Sequence, residues 1–330
     1  MTGGTTRVDR ISARIKKNPL IAAAALIGTV IIALATFTDA ARKLMALIPV
    51  PQSPHAARVE LARMSINFEP QALCRSAKEG DVTVLNLLLA AGMNPDTSTD
   101  DDYRTPMVYA AVAGHANIVT ALIHAGADVN KRIGNDATAL SFATSAGHLD
   151  VVRTLLDAGS DADAINGAFV KAVLAKQRDA IRLLVERGAD VAHRGAAALT
   201  ELADSGGGDD ALNPIAQLLL DLGADPNGRN EEDMTPLMMV ARYGQIAVAQ
   251  TLLAHGADVN ARCTCTRWIE GGGMTPLFMA IYGGEPGMTK LLLDNGADVT
   301  ARSNSGSTAL GLAKNRYPEY IALLKNAGAK

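Results

Sequence analysis

The chain has 330 residues, of which 48% are hydrophobic, only 4% aromatic and 20% charged, with 30 glycines. Its 31 Lys and Arg against 34 Asp and Glu divide unevenly: residues 1–69 carry 9 basic against 4 acidic, which leaves 22 against 30, a net of −8, on the rest. An acidic body argues against a nucleic-acid partner, because affinity for phosphate backbones comes largely from Lys and Arg. So few aromatics beside abundant Ala, Leu and Gly suits small, closely stacked helices better than one large core.

Residues 1–17 form a basic tail, with Arg7, Arg10, Arg14, Lys16 and Lys17 against Asp9. From Asn18 to Thr38 runs a charge-free stretch of 21 residues, NPLIAAAALIGTVIIALATFT, and about 20 apolar residues cross a bilayer core as helix. The reading is one transmembrane helix over residues 18–38. A cleaved signal peptide, suggested by Ala33-Leu34-Ala35, and a soluble buried helix are the alternatives. More basic residues precede the span than follow it, so the charge rule places the N-terminus in the cytosol and the remainder outside it, in the periplasm of a Gram-negative cell. The reverse orientation is a cytosol-facing scaffold. Residues 39–69 read as a membrane-proximal linker broken by Pro51 and Pro54, followed by a short amphipathic helix that caps what comes next.

Beyond residue 70 one unit recurs. Thr105-Pro106 opens a helix, the hydroxyl accepting from an orphan first-turn N–H and the proline losing nothing by lacking one. Gly114 ends it, a second helix carries Ile118, Val119, Leu122 and Ile123 at helical spacing, and Gly126 releases the chain into an outward turn, Ala-Asp-Val-Asn. The closing glycine recurs at Gly92, Gly126, Gly159, Gly188, Gly223, Gly256, Gly296 and Gly328, in steps of 34, 33, 29, 35, 33, 40 and 32 residues. The opener recurs as Thr138-Ala139-Leu140, Thr235-Pro236-Leu237, Thr275-Pro276-Leu277 and Thr308-Ala309-Leu310.

On these residues the sequence resembles the ankyrin repeat family, whose unit of about 33 residues reads T-P-L-H and then G-A-D-V-N. The resemblance covers roughly residues 70–330 and implies an all-α solenoid of about eight helix-turn-helix repeats with short β-turn or hairpin tips, here preceded by the transmembrane helix. It departs from the family where histidine usually follows the opener: Val108, Ser141, Met238, Phe278 and Gly311 stand there, so stacking is expected to rest more on apolar burial. The fourth copy lacks a Thr-Pro opener and is four residues short, which predicts a stunted turn. Two insertions break the period. Ser205 to Asp210, SGGGDD, reads as a mobile solvated link inside the fifth copy, and Ala261 to Gly273 lengthens the turn between the sixth and seventh.

Candidates for chemistry are few. Cys263 and Cys265 could form a small disulfide, stay inert thiols or supply half a metal site, while Cys74 lies several repeats away. Each of the six histidines has a structural reading, with His115 and His148 directly after a helix-ending glycine and His193 in a turn. No nucleophile or metalloprotease spacing occurs, so no catalytic residue, cofactor or metal is expected and no small-molecule substrate. The Asp96 to Asp102 run lacks the glycine and glutamate of a calcium loop.

Surface recognition is what is left. In solenoids the first helices and turns make an extended concave surface, and the two residues before each first-helix glycine should face it. Arg242-Tyr243 and Ile281-Tyr282 bring large aromatics there. With Arg267 and Trp268 from the insertion, the expected partner-binding patch is Arg242, Tyr243, Arg267, Trp268 and Tyr282, residue types enriched at interface hot spots; the alternative is that these rings merely cover apolar ends. The resulting expectation is a non-enzymatic, membrane-tethered module that binds a partner protein, with a secreted regulator released by signal cleavage as the alternative.

Overall fold

The computed structural model describes residues 53–99, 104–205, 208–264, 272–317 and 319–330. These residues contain seventeen α-helices, and eight pairs of them match the eight glycine-punctuated copies. After α1 (Pro54–Arg63) the pairs are α2 (Pro70–Glu79) with α3 (Val82–Ala90), α4 (Pro106–Ala113) with α5 (Ala116–His124), and α6 (Ala139–Ala146) with α7 (Leu149–Asp157). Next come α8 (Ala162–Leu174) with α9 (Arg178–Glu186) and α10 (Val191–Asp204) with α11 (Asp209–Asp221). The last three are α12 (Pro236–Arg242) with α13 (Ile246–Ala254), α14 (Pro276–Gly283) with α15 (Pro286–Asp294), and α16 (Ala309–Arg316) with α17 (Tyr320–Asn326). First helices pack on first helices in one row, and second helices form a parallel row. One continuous apolar core runs between the rows.

Helix α1 packs on α3, so it stands in the second-helix row as half a repeat. Its end copies that of α3: Ser65 takes the left-handed backbone (φ 58°) that Gly92 takes later, and Ile66 N–H reaches Leu61 O as Met93 N–H reaches Leu88 O. That closure satisfies carbonyls that a helix end leaves bare.

The openers cap as their chemistry requires. Thr105, Thr138, Thr235 and Thr308 accept from the N–H three residues on. Thr275 departs, its buried hydroxyl making no such bond. Where histidine is replaced, Val108, Met238 and Phe278 are at most 1% exposed, and Ser141 instead completes a reciprocal capping box with Thr138.

Two further hydrogen-bond ladders join the copies. At four copies the residue after the left-handed end of the first helix, a glycine except at Lys176, reaches back to the preceding first helix: His115 Nε2 donates to Lys78 O (3.2 Å), His148 Nε2 to Val112 O (3.0 Å), and Gln177 and Gln245 amides to Ser145 O and Ala203 O. At the turns the Asn of Gly-Ala-Asp-x-Asn clamps the next copy. Asn130, Asn227 and Asn260 each donate to Gly159 O, Gly256 O and Gly296 O and accept from the N–H of Asp161, Asp258 and Asp298.

Three expectations are corrected. No helix among the described residues is long and apolar enough to cross a membrane. The longest, α10, has 14 residues, about 21 Å at 1.5 Å per residue against a hydrocarbon core of about 30 Å. The span expected over residues 18–38 lies outside the described residues. Among the described residues, then, the fold class is an all-α solenoid with no transmembrane helix, and neither the preceding span nor the single-pass location with the solenoid outside the cytosol is supported there. Second, the SGGGDD stretch is not one solvated loop. Asp209 and Asp210 form the first turn of α11, and the Asp209 carboxylate accepts from Ala247 N–H (3.0 Å) at the start of α13, tying copy five to copy six. Third, the turn is stunted not at one copy but at two. Both α8 and α10 begin within a few residues of the preceding glycine, so no finger projects before either helix.

Candidate functional site at the break in the finger row

Elsewhere the link between copies forms a finger of a dozen residues or more. The three C-terminal ones are latched together by arginines two places after the clamp position. Arg229 Nη1 donates to Arg262 O (2.9 Å) and Arg262 Nη2 to Arg302 O (2.7 Å). Arg229 is also held within its own finger by Asp233 (3.1 Å). Asp233 in turn accepts from the Thr264 N–H and hydroxyl, and chiefly that backbone N–H, then the hydroxyl, holds its pKa below the usual carboxylate value.

Where the fourth and fifth copies lack fingers, a cleft of about 980 Å³ opens between α10 and the finger at residues 225–234. One stripe of α10 faces it: Asp190, Arg194, Ala197, Glu201 and Asp204, spaced three or four apart as residues on one helical face must be. The finger adds Arg229, Glu231 and Glu232, and α12 adds Met239 and Arg242. The finger base sits tightly on α10, because two glycines permit it. A Cβ on Gly195 would lie 2.6 Å from that of Ala224, and one on Gly228 would lie 2.5 Å from that of Ala196.

Charges in the cleft are partly paired. Asp190 accepts from His193 Nδ1 (2.8 Å), and this side-chain bond, followed by the His193 N–H, holds the Asp190 carboxyl below its ordinary pKa. His193 thus lies in the first turn of α10, where sequence reading placed a turn. Tyr243 donates to Asp204 across the junction of copies five and six, and burial first, then that bond, pushes its pKa above the ordinary phenol value. The Arg242 guanidinium lies 5.2 Å from the centre of the Tyr243 ring, a cation–π distance.

Of the expected patch, then, Arg242 and Tyr243 stand together at the cleft mouth, Tyr243 being 38% exposed. Tyr282 is half-buried one copy further on, at the end of α14. The two helix ends approach closely, since Gly283 leaves no room for a side chain against the Arg242 carbonyl. The glycine that ends α14 in the left-handed conformation is Gly284, one place later than the pairing Ile281-Tyr282 assumed, so Ile281 points into the core at 0% exposure. Arg267, Trp268 and Cys265 lie outside the described residues. Cys263 is buried and disulfide-bonded, and Cys74 is buried in α2. The α10 residues were missed by sequence reading. Their signal was that Gly159 and Gly188 are each followed within three residues by a helix with no Thr opener, a double omission hidden because longer helices restore the fifth copy's step to 35 residues.

Comparison with known proteins agrees with this architecture. A family model of ankyrin repeats in three copies matches residues 34–133, 73–166 and 169–263, and one of ankyrin repeats in many copies matches residues 264–313. YahD of Escherichia coli (strain K12), described as an ankyrin repeat protein, is 29% identical over 209 residues, which covers 59% of this chain and 100% of YahD. Matched over most of its length by models of that repeat, the chain belongs to the ankyrin repeat family.

Proposed function

We propose that the chain is a non-catalytic scaffold that binds a partner protein on the face made by first helices and fingers, centred on copies five to seven. Ankyrin repeats are in general protein-interaction modules that act without catalysis, which supports the class of function. The observation that carries the location is the cleft of about 980 Å³ opening beside Arg242 and Tyr243, where an uneven surface with anchored aromatic and guanidinium groups favours a buried contact. Tyr282 extends that surface, and Arg267 and Trp268 belong to the same reading by their place in the sequence.

Site-specific photocrosslinking tests it. A benzophenone side chain introduced at position 243 or 282 should give the same discrete protein adduct in cells, and one at Arg153, exposed on α7 in the second-helix row, should not. Equal adducts from all three positions would place the partner elsewhere.

A further inference from the structure

We propose that the break in the finger row docks an extended, arginine-bearing segment of the partner protein. This rests on the reading of the cleft as partner surface and adds the chemistry the partner carries there.

The first support is internal to the chain. Arg229, Arg262 and Arg302 hold one register, two places after Asn227, Asn260 and Thr300. The carbonyls of Arg262 and Arg302 each accept a guanidinium from the finger before, at 2.9 and 2.7 Å. The Arg229 carbonyl is the third of this set, with no finger before it, and among the described residues nothing donates to it. The chain's own donor in that register on the other side of the break is engaged elsewhere: Arg132, two places after Asn130, turns to Asp161 (3.4 Å) and Asp163 (3.5 Å) on α8.

Charge is the second support. Glu201 and Glu231 line the same cleft, are exposed, and have no ion-pair partner among the described residues. Two of the cleft's three guanidinium groups are committed, Arg229 to Asp233 and Arg242 to the Tyr243 ring. A cleft that holds both a backbone carbonyl and carboxylates suits the fixed fork of five guanidinium donors better than a compact ammonium. Size agrees as well. Two absent fingers at helix spacings of about 8–10 Å open roughly 20 Å, which about six extended residues would cross.

The test uses the full chain at low ionic strength and a fluorescein-labelled peptide, Gly-Ser-Arg-Arg-Ser-Gly, with versions carrying Lys or Gln in place of Arg. Anisotropy should show the Arg peptide binding at least tenfold tighter than the Gln peptide and severalfold tighter than the Lys peptide. Glu201→Gln with Glu231→Gln, both exposed positions, should weaken the Arg peptide about tenfold with the thermal midpoint unchanged. The Asn230 amide, which shares a peptide unit with the Arg229 carbonyl, should shift in NMR spectra with the Arg peptide only. Equal binding of Arg and Gln or of Arg and Lys peptides, an unaffected double variant, or an unmoved Asn230 amide would each overturn the proposal. If these fail while adducts from positions 243 and 282 persist, the surface stands and the arginine reading falls; the reverse pattern removes the surface alone.

Discussion

Copies four and five and copies six to eight solve the same stacking problem with different means. In the C-terminal set each junction has an apolar interface, an Asn clamp at the turn and an arginine latch between fingers. The fingerless set keeps the apolar interface, with Phe169 at 0% exposure, but a helical residue, Asn166, makes a single turn contact by accepting from Asp190 N–H (2.8 Å). Longer helices compensate, at 13 residues in α8, 14 in α10 and 13 in α11. The difference teaches that the finger is dispensable for stacking. Removing it converts a self-satisfied edge into an open, charged cleft.

The comparison breaks most severely at Phe169. Phe169→Ala should cost about 3–5 kcal/mol, the usual range for an aromatic truncated in a packed core. Because a repeat array is coupled only through nearest neighbours, the loss should uncouple the two halves. Hydrogen exchange in urea would then show α4 and α14 amides opening at different denaturant concentrations. Phe278→Ala, also at 0% exposure, has a similar local cost but keeps finger bonds on both sides, so it should leave those transitions closer together.

A smaller effect separates the turn contacts. Asn260→Ala removes two bonds, to Gly296 O (3.1 Å) and from Asp298 N–H (2.8 Å). At an exposed turn each is worth about 0.5–1 kcal/mol. Asn166→Ala removes one, so its loss in urea-derived stability should be about half as large. Equal losses would mean that the finger clamp adds nothing to the fingerless arrangement.

Much of this contrast could be read from sequence, and what could not has physical causes. The closing glycines and Thr openers were legible because left-handed backbone and first-turn capping each admit few residue types; Gly92 (φ 92°) and Gly126 (φ 85°) are direct cases. Asp209 was not, since Gly-rich and acidic composition reads as loop. Its place in a helix depends on a carboxylate capping α13 in the next copy, a tertiary contact that local propensity does not encode. The cleft was illegible for a similar reason: it is defined by what two copies omit, and its α10 stripe is apparent only once Asp190 is known to begin a helix. Arg242 and Tyr243 were found by residue type, whereas the Tyr243 bond to Asp204 needed the copy-to-copy register.

Next in size is the ladder that fingered and fingerless copies share. His148 Nε2 donates to Val112 O at 3.0 Å and Gln177 makes the same contact to Ser145 O at 3.4 Å. His148→Ala should lower stability by about 0.5–1 kcal/mol in chemical denaturation. His148→Gln should recover most of that, because the amide supplies the same donor. If Gln does not rescue, the ring contributes by packing over Gly114 rather than by its hydrogen bond.

The finest test concerns protons. The Asp233 carboxyl, which joins the fingers of copies six and seven, is held below its ordinary pKa of 3.8, chiefly by the Thr264 N–H and then by its hydroxyl. A carboxyl depressed in the folded state contributes stability that is present above the unfolded value, about 3.9, and lost as pH falls through the folded value. Wild type should therefore exceed Asp233→Asn in thermal midpoint at pH 7, by a small margin because the site is open to solvent and screened. The two should converge below about pH 3.8. Asp190, also depressed but partnered by His193 within one helix, carries no bond between fingers. Its replacement by Asn should show the same acid convergence while leaving the Thr264 amide shift where it is, and only Asp233→Asn should move that amide. A matched response of the Thr264 amide to both variants would show that the fingerless copies sense the finger row after all, and the contrast between the two regions would have to be redrawn.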